Sequence, residues 1–232
     1  MIEFGPPRAI LFDLDGTLMD SLPDLVRSAN RMRAELGAAP LDRERISRFV
    51  GNGVRKLVHR VLTDAIDGEA EDARFRLGLA TFHRIYLEGC CVESTLRPGA
   101  AETIARLDSM GIACGIVTNK SEAPMRRILE GYGLSRHVRA AVGGDTEFGR
   151  KPETGTSLEA LRRLGIDGHV EHWWLVGDSL TDLRTAAAAG VPGIAIRGGY
   201  HHGEAFERCD PRPARIIDRL SEVADLAFGQ LP

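Results

Sequence analysis

The sequence predicts an α/β fold in which a Rossmann-like parallel sheet has helices on both faces and carries an inserted small α-helical cap domain. Two observations lead to this prediction. Short runs that are apolar on consecutive positions, as in strands buried on both faces of a parallel sheet, alternate with amphipathic helical stretches. One long segment with helical periodicity alone interrupts this alternation, which is typical of an inserted helical domain.

The first apolar run, 9–12, is followed by two acidic residues, Asp13 and Asp15, and then by a turn at Gly16. Ligands bind at the carboxyl ends of strands in open α/β sheets, so this pair lies where chemistry is usually done. Two aspartates this close repel each other, and burying both requires a cation or an acid-base role. We interpret them as active-site residues, the alternative being an Asp-rich turn after a strand.

The inserted segment follows directly. Its apolar residues recur at spacings of three and four, which predicts helices over 22–32, 43–49, 54–62 and 70–87. A turn at Pro98-Gly99 marks the return to the sheet. We therefore assign residues 20–95 to an α-helical cap domain and residues 1–19 and 96–232 to a Rossmann-like catalytic core.

Beyond this turn the alternation is regular. It predicts strands over 112–117, 140–142, 173–176 and 193–196. Helices are predicted over 100–110, 123–132, 157–164 and 183–189, and the tail 215–228 has the periodicity of a last amphipathic helix. Trp173 and Trp174 are interpreted as sheet-packing residues.

Composition limits the classes of function. The 30 Lys plus Arg residues against 33 Asp plus Glu give a net charge of −3, so no basic field favours nucleic acid or an anionic membrane. The four cysteines show no CxxC spacing, which favours reduced thiols and a cytoplasmic location. No leader or membrane span is indicated, and monomer and homodimer both stay open.

Polar residues also follow the later strands. Thr118 and Asn119 follow the second strand, Lys151 lies in a charged Gly-rich loop, and Asp178 and Asp182 follow the strand at 173–176. Acids, a hydroxyl and a lysine at one sheet edge are what metal-assisted phosphoryl transfer requires. As alternatives, Thr118-Asn119 and Asp178-Ser179 are interpreted as helix caps.

Together these residues resemble the four motifs of the haloacid dehalogenase superfamily. The resemblance covers order, spacing and strand context in the segments Asp13-Leu14-Asp15-Gly16-Thr17-Leu18, Thr118-Asn119-Lys120, Lys151-Pro152 and Gly177-Asp178-Ser179-Leu180-Thr181-Asp182. The helical insertion resembles that superfamily's small cap. Two further segments are most similar to bacterial phosphoglycolate phosphatases: Gly51-Asn52-Gly53-Val54-Arg55-Lys56-Leu57 and Gly199-Tyr200-His201-His202-Gly203.

The resemblance implies a Mg²⁺-dependent phosphatase for a small phosphorylated metabolite, with 2-phosphoglycolate, which yields glycolate and phosphate, as the first choice. Asp13 would be the nucleophile that forms an aspartyl-phosphate, with its other oxygen on Mg²⁺. Asp15 would protonate the leaving alcohol and then activate water, while its backbone carbonyl ligates the metal. Asp178 would be the direct carboxylate ligand, with Asp182 close behind it.

The same resemblance implies phosphate-binding roles for three further residues. Thr118 would hydrogen-bond the phosphoryl group, Asn119 would add amide donors, and Lys151 would pair with both the nucleophile and the phosphate. Asp15 separates this chain from the dehalogenases proper, which have no leaving alkoxide to protonate.

In the cap, Gly51-Asn52-Gly53 precedes the helix predicted over 54–62. The free amides at Gly53 and the cation of Arg55 are candidates for binding an anionic substrate group. The alternative is that Arg55 and Lys56 are ordinary solvated residues. A dinucleotide site is excluded because the segment follows no strand and lacks the third glycine.

Two histidine pairs, His169 with His172 and His201 with His202, lack the Cys or Glu companions of a zinc site. Because these companions are missing, surface or structural roles are favoured for the four histidines.

Other functions stay open. One is a phosphatase of another sugar phosphate or of pyrophosphate, and a second is a β-phosphoglucomutase-like phosphomutase. A third is a non-catalytic interaction protein that retains the fold. The intact acids at Asp13, Asp15 and Asp178 argue against the third.

Overall fold

The structure, a computed structural model, describes residues 6–168, 172–201, 203 and 205–229. The strands are β1 (Ala9–Phe12), β2 (Met19–Asp20), β3 (Thr95–Leu96), β4 (Ala113–Val117), β5 (Val138–Val142), β6 (Trp173–Gly177), β7 (Gly193–Ile196) and β8 (Arg215–Ile217). The helices are α1 (Leu22–Glu35), α2 (Arg43–Ser47), α3 (Val54–Thr63), α4 (Asp72–Gly89), α5 (Ala100–Ser109), α6 (Glu122–Gly131), α7 (Gly155–Arg163), α8 (Leu180–Ala189) and α9 (Ser221–Ala227), with a 3₁₀ turn at Leu134–Arg136.

Six strands form one parallel sheet in the order β5-β4-β1-β6-β7-β8. β1 lies inside the sheet, where Phe12 pairs with Ile116 of β4 on one side and with Val176 of β6 on the other. Every residue of β1 is buried, as its consecutive apolar run predicts. Because parallel strands share a direction, β1, β4 and β6 end at the same edge of the sheet.

Helices cover both faces of the sheet, which confirms the predicted fold class. Ile10 and Phe12 belong to an apolar cluster that includes Ile104 of α5. Leu11, whose side chain points the other way, belongs to a second cluster with Leu161 of α7. Trp173 and Trp174 likewise divide between the two clusters, as sheet-packing residues do.

Between β2 and β3 the chain folds into helices α1 to α4. β2 and β3 pair antiparallel, Met19 with Leu96, so the helical segment leaves and returns through one two-stranded ribbon. The four helices bury Met32, Ile46, Val58 and Phe82 in a shared apolar cluster. Among the described residues, none of the helices combines the length and apolar character needed to cross a membrane.

The prediction of a helix over 215–228 is wrong at its start. Residues 215–217 form β8, which pairs with β7 at the sheet edge, and only Ser221–Ala227 is helical. Three residues fit either periodicity, so pairing with β7 decides their conformation. The ribbon strands β2 and β3 have two residues each and are too short to show an alternation in the sequence.

The two histidine pairs are only partly described, because His169 and His202 lie outside the described residues. His172 is exposed, and the ring of His201 stacks on Phe206 at 4.4 Å between centroids. These surroundings agree with surface and structural roles for His172 and His201.

Candidate active site

The carboxyl ends of β1, β4 and β6 face a cavity of about 920 Å³, which α3 and α4 line from the other side. Most of the predicted site residues line it: Asp13, Asp15, Gly53, Thr118, Asn119, Lys151 and Asp178. Arg55 and Asp182 are not among the lining residues. The sheet edge thus brings together side chains that are far apart in the sequence.

Asp13 and Lys151 form a buried ion pair at the base of the cavity. The N–H of Asp13 donates to the carbonyl of Val176 at 2.9 Å, which fixes this residue at the end of β1. Lys151 Nζ lies 2.6 Å from Asp13 Oδ1 and 2.6 Å from Asp182 Oδ1. Burial lowers the pKa of Lys151, but the two carboxylates outweigh burial and raise it above its usual range. Lys151 is therefore a fixed cation.

Asp13, Asp178 and Asp182 place carboxylate oxygens within 4.8 Å of one another. Burial raises the pKa of Asp13 to about 8, although Lys151 opposes the rise. Burial and the neighbouring Asp182 raise the pKa of Asp178 to about 7. Three buried acids with one ammonium leave an excess of negative charge, and a divalent cation would offset it. These oxygen donors fit Mg²⁺, which binds through carboxylates and carbonyls.

Asp178 is held in place by two separate segments. The Thr17 hydroxyl donates to Oδ1 at 2.9 Å, and the N–H of Tyr200 donates to Oδ2 at 2.5 Å. Gly16 has φ of +87°, and a Cβ there would lie 2.3 Å from Asp178 Oδ2. Glycine is thus required for the first motif to approach this carboxylate.

Asp182 is occupied on both of its oxygens. Oδ1 accepts from Lys151, and Oδ2 accepts from the N–H of Ser179 at 3.1 Å and from its hydroxyl at 2.6 Å. The hydrogen bonds between Ser179 and Asp182 Oδ2 belong to a capping box at the start of α8. The helix-cap interpretation is therefore correct for Ser179 and does not apply to Asp178.

Thr118 and Asn119 do not cap α6, because Ser121 is its N-cap residue. The Thr118 hydroxyl oxygen accepts the N–H of Lys120 at 3.2 Å, which leaves its own proton free to donate. Asn119 Nδ2 donates to the carbonyl of Lys151 at 3.0 Å. Both residues line the cavity, and the helix-cap alternative is wrong for them.

The loop before α3 contacts the core through Asn119. Its Nδ2 lies 3.4 Å from the carbonyl of Gly51. A Cβ on Gly53, which has φ of +82°, would lie 3.2 Å from the Asn119 carbonyl oxygen. Arg60 orders this loop by donating to the carbonyl of Phe49 at 3.0 Å and to Asn52 Oδ1 at 2.8 Å.

The structure does not bring Arg55 to the cavity, contrary to the substrate-binding prediction. Its guanidinium lies 4.8 Å from the centroid of the Phe75 ring in α4, and Arg55 is exposed. Four arginines line the cavity: Arg48, Arg60, Arg84 and Arg184. Arg84 pairs with Glu35, whereas Arg48 of the helical segment and Arg184 of α8 are exposed and have no ion-pair partner within the described residues. The sequence gives no signal for Arg48, because it lies outside the motifs.

Asp15 pairs with a lysine to which sequence reasoning assigns no role. Lys120 Nζ lies 2.7 Å from Asp15 Oδ1 and 2.8 Å from Oδ2. Thr17 and Tyr200, which hold Asp178, are likewise missed. Lys120 and Thr17 lie within the segments that resemble the family motifs, so the sequence could have indicated both residues. Tyr200 lies outside the four motifs, and only the resemblance of the segment 199–203 indicates it.

Comparison with known proteins agrees with this geometry. The model of the family described as haloacid dehalogenase-like hydrolase matches residues 10–196, which include the motif residues from Asp13 to Asp182. The chain belongs to the haloacid dehalogenase-like hydrolases. This hydrolase is 40% identical over 193 residues to the phosphoglycolate phosphatase of Chromobacterium violaceum, covering 83% of this chain and 86% of the relative. It is also 40% identical over 197 residues to the phosphoglycolate phosphatase of Rhodospirillum rubrum, covering 84% and 81%.

Solved structures extend the similarity to nearly the whole hydrolase. A predicted phosphoglycolate phosphatase from Haemophilus somnus superposes with a TM-score of 0.85 at 27% identity, over 97% of this chain and 99% of the other. CbbY from Rhodobacter sphaeroides, solved in complex with phosphate, superposes with a TM-score of 0.72 at 28% identity, over 94% and 96%. The core and the helical insertion are thus shared with other members of the family.

Proposed function

We propose that this chain is a Mg²⁺-dependent phosphatase that hydrolyses 2-phosphoglycolate to glycolate and phosphate through an aspartyl-phosphate on Asp13. The observation that carries the proposal is the buried Asp13 carboxylate, which is paired with Lys151 beside Asp178 at the base of a cavity large enough for a small ester. The two relatives named phosphoglycolate phosphatase support the choice of substrate.

In the first half-reaction Asp13 attacks the phosphorus atom, and the bond from phosphorus to the leaving oxygen breaks. Lys151, 2.6 Å from Asp13 Oδ1, orients the nucleophile and offsets negative charge as the phosphoryl group approaches. The Asp15 carboxyl gives its proton to the leaving oxygen, so glycolate departs as an alcohol.

In the second half-reaction a water molecule attacks the phosphorus atom of the aspartyl-phosphate and gives its proton to Asp15. The bond between phosphorus and the Asp13 oxygen breaks, which releases phosphate and restores the carboxylate. The Thr118 hydroxyl donates a hydrogen bond to a phosphoryl oxygen in both steps. Asn119 orients the loop that follows β4, because its side-chain amide donates to the Lys151 carbonyl.

Asp13, Asp178 and the backbone carbonyl of Asp15 are the groups that would hold Mg²⁺, which when bound supplies positive charge against the carboxylates and phosphoryl oxygens. The sequence resemblance puts Asp182 beside these ligands. Asp178 lines the cavity and Asp182 does not, so we assign Asp182 to positioning Lys151 and capping α8.

We propose that residues 20–95 form the cap that closes over the substrate, with residues 1–19 and 96–232 as the core. The β2–β3 ribbon, through which the helical segment leaves and returns, supports a hinge there. Phosphoglycolate carries a carboxylate beyond its phosphate. We assign recognition of this carboxylate to Arg48. Among the arginines of the proposed cap, Arg55 does not line the cavity, and Arg60 and Arg84 line it but are engaged by other groups.

The proposed location is the cytoplasm. The four cysteines, Cys90, Cys91, Cys114 and Cys209, are free thiols, which is typical of a reducing compartment. A small phosphorylated metabolite is the expected partner, and no binding to nucleic acid or membrane is expected at a net charge of −3. The enzyme is expected to be a monomer or a homodimer.

The test is phosphate release from a panel of phosphorylated metabolites, compared by kcat/KM with Mg²⁺ and with EDTA. We expect phosphoglycolate to give the highest value and EDTA to abolish release. Asp13→Asn, which keeps the shape of the side chain, is the inactive control. Interconversion of hexose phosphates in place of phosphate release would identify a phosphomutase. No Mg²⁺-dependent release from any ester would support a non-catalytic protein.

A further inference from the structure

Lys120 is a buried cation to which the proposed reaction gives no role. Its ammonium contacts both oxygens of Asp15, at 2.7 and 2.8 Å, and its side chain is only 4% exposed. The backbone of Lys120 is fixed as well, since its N–H donates to Thr118 Oγ1 and its carbonyl accepts the N–H of Gly144 at 2.9 Å. Burying an ammonium is unfavourable unless it is paired, so this ion pair is a fixed part of the site.

The other side of the ammonium is covered from the helical segment. Lys120 Nζ lies 4.8 Å from the ring centroid of Tyr86, which belongs to α4 and is 4% exposed. A cation is attracted to the face of an aromatic ring, and the attraction is strongest where water is excluded. Lys120 is thus held between an acid on the core and a ring on the proposed cap.

We propose that Lys120 is the positioning residue for protonation of the leaving oxygen by Asp15 and that Tyr86 makes its position depend on the cap. The proposal rests on the phosphatase reaction above and adds to it the group that supports Asp15. When the O–H bond of the Asp15 carboxyl breaks, the proton passes to the leaving oxygen and the electron pair stays on Asp15. The ammonium, already in contact with both oxygens, stabilises that charge without rearrangement.

The proposal predicts a dependence on the leaving group. An alkoxide must be protonated as it departs, whereas p-nitrophenolate departs without a proton. Loss of Lys120 should therefore slow hydrolysis of alkyl phosphates and leave p-nitrophenyl phosphate almost unaffected. A lysine that bound the substrate carboxylate would instead affect only substrates that carry one.

The experiment compares wild type with Lys120→Met on three esters: phosphoglycolate, 2-hydroxyethyl phosphate, which lacks the carboxylate, and p-nitrophenyl phosphate. We expect kcat/KM, which covers the steps up to departure of the leaving group, to fall about 100-fold for both alkyl esters and less than about threefold for p-nitrophenyl phosphate. Lys56→Met, which removes an exposed lysine 3.5 Å from Glu69, is the matched control and should leave all three rates unchanged. In an Asp15→Asn background Lys120→Met should cause no further loss, because Lys120 acts through Asp15.

Equal losses on all three esters would overturn the proposal, and so would a loss confined to phosphoglycolate. Tyr86→Leu, which removes the ring, should reproduce the leaving-group dependence more weakly, whereas Tyr86→Phe, which keeps the ring, should not. This second pair decides the question if Lys120→Met does not fold. Wild-type activity separates the two proposals: no phosphate release by wild type refutes the phosphatase, while an active wild type with equal losses in Lys120→Met refutes only the role of Lys120.

Discussion

Asp13, Asp178 and Asp182 bring carboxylate oxygens within 4.8 Å of one another in a buried part of the molecule. One ammonium, that of Lys151, contacts two of these acids, so negative charge remains in excess. Burial and mutual repulsion raise the pKa of Asp13 to about 8 and that of Asp178 to about 7. The charge of the site therefore depends on pH and on a bound cation.

These pKa shifts predict how stability depends on pH. Both folded-state pKa values lie above the ordinary value of 3.8, so the folded protein keeps protons that the unfolded chain has lost. Without a divalent cation, the contribution of these acids to the free energy of unfolding should fall as pH rises from about 4 to about 8. Urea unfolding across this range should show a shallower fall for Asp178→Asn than for wild type. An identical fall in both proteins would contradict the assigned pKa shift.

The arginines of the helical segment give a second prediction at this scale. Arg48→Ala should raise the KM for phosphoglycolate about tenfold, the loss expected for one charge-assisted hydrogen bond, and should change hydrolysis of p-nitrophenyl phosphate less than about twofold. Arg55→Ala is the matched control and should change neither, because its guanidinium lies over Phe75. A larger effect from Arg55→Ala would show that Arg55, as the sequence suggests, binds the substrate.

The sequence predicts residues whose role depends on a strand end and misses those whose role depends on a distant partner. Asp13 and Thr118 follow apolar runs that form β1 and β4, so the edge of the sheet could be inferred. Lys120 contacts Asp15 across 105 positions, and packing of separate elements sets that contact. No local sequence pattern indicates this contact.

At the scale of elements, the buried carboxylate of Asp24 connects α1 with the chain segment between α4 and β3. Asp24, in the first turn of α1, is fully buried and accepts from the N–H groups of Val92, Glu93 and Ser94 at 3.0 Å each. It also accepts from the Ser94 hydroxyl at 2.6 Å. These groups precede β3, so Asp24 fixes the chain where it re-enters the core.

Removing this acid should destabilise the protein. Asp24→Ala leaves the buried N–H of Ser94 and two partly buried N–H groups without their acceptor, and we expect a loss of about 3 kcal/mol in the free energy of unfolding. Urea denaturation measures the loss. Asp42→Ala, at the start of α2, removes an exposed acid with no side-chain cap hydrogen bond and serves as the control. Equal stability of the two variants would contradict the role of Asp24.

Elements that carry their own hydrophobic pattern could be predicted from the sequence, and strands of two or three residues could not. The stripe of α3, which buries Leu57, Val58, Val61 and Leu62, is visible as spacing alone. β8 has three residues and is a strand only because β7 offers it an edge. Periodicity cannot detect such pairing.

For the whole molecule, Tyr200 connects the acidic site with the start of α1. Its N–H donates to Asp178 at 2.5 Å. Its hydroxyl donates to Asp20 Oδ1 at 2.7 Å and accepts the N–H of Leu22 at 2.8 Å. One residue of the core thus contacts both a proposed metal ligand and the hinge of the proposed cap.

Tyr200→Phe removes only the hydroxyl and should loosen the hinge. We expect amide exchange of Leu22 to become about fivefold faster, as the loss of one ordinary hydrogen bond predicts, and kcat/KM for phosphoglycolate to fall by a similar factor. Tyr132→Phe is the matched control, because its hydroxyl donates to the carbonyl of Ser94 on the other side of the hinge and does not contact Asp178. Unchanged exchange at Leu22 in Tyr200→Phe would refute the connection.

The covalent step on Asp13 is tested most directly by locating the phosphoryl group during turnover. The enzyme is mixed with Mg²⁺ and phosphoglycolate, quenched in acid and treated with borohydride, which reduces an aspartyl-phosphate to homoserine. We predict that mass spectrometry of the peptides finds homoserine at position 13 and at no other acidic residue. Release of phosphate with Asp13 unmodified, or homoserine at a different acid, would contradict the proposed mechanism.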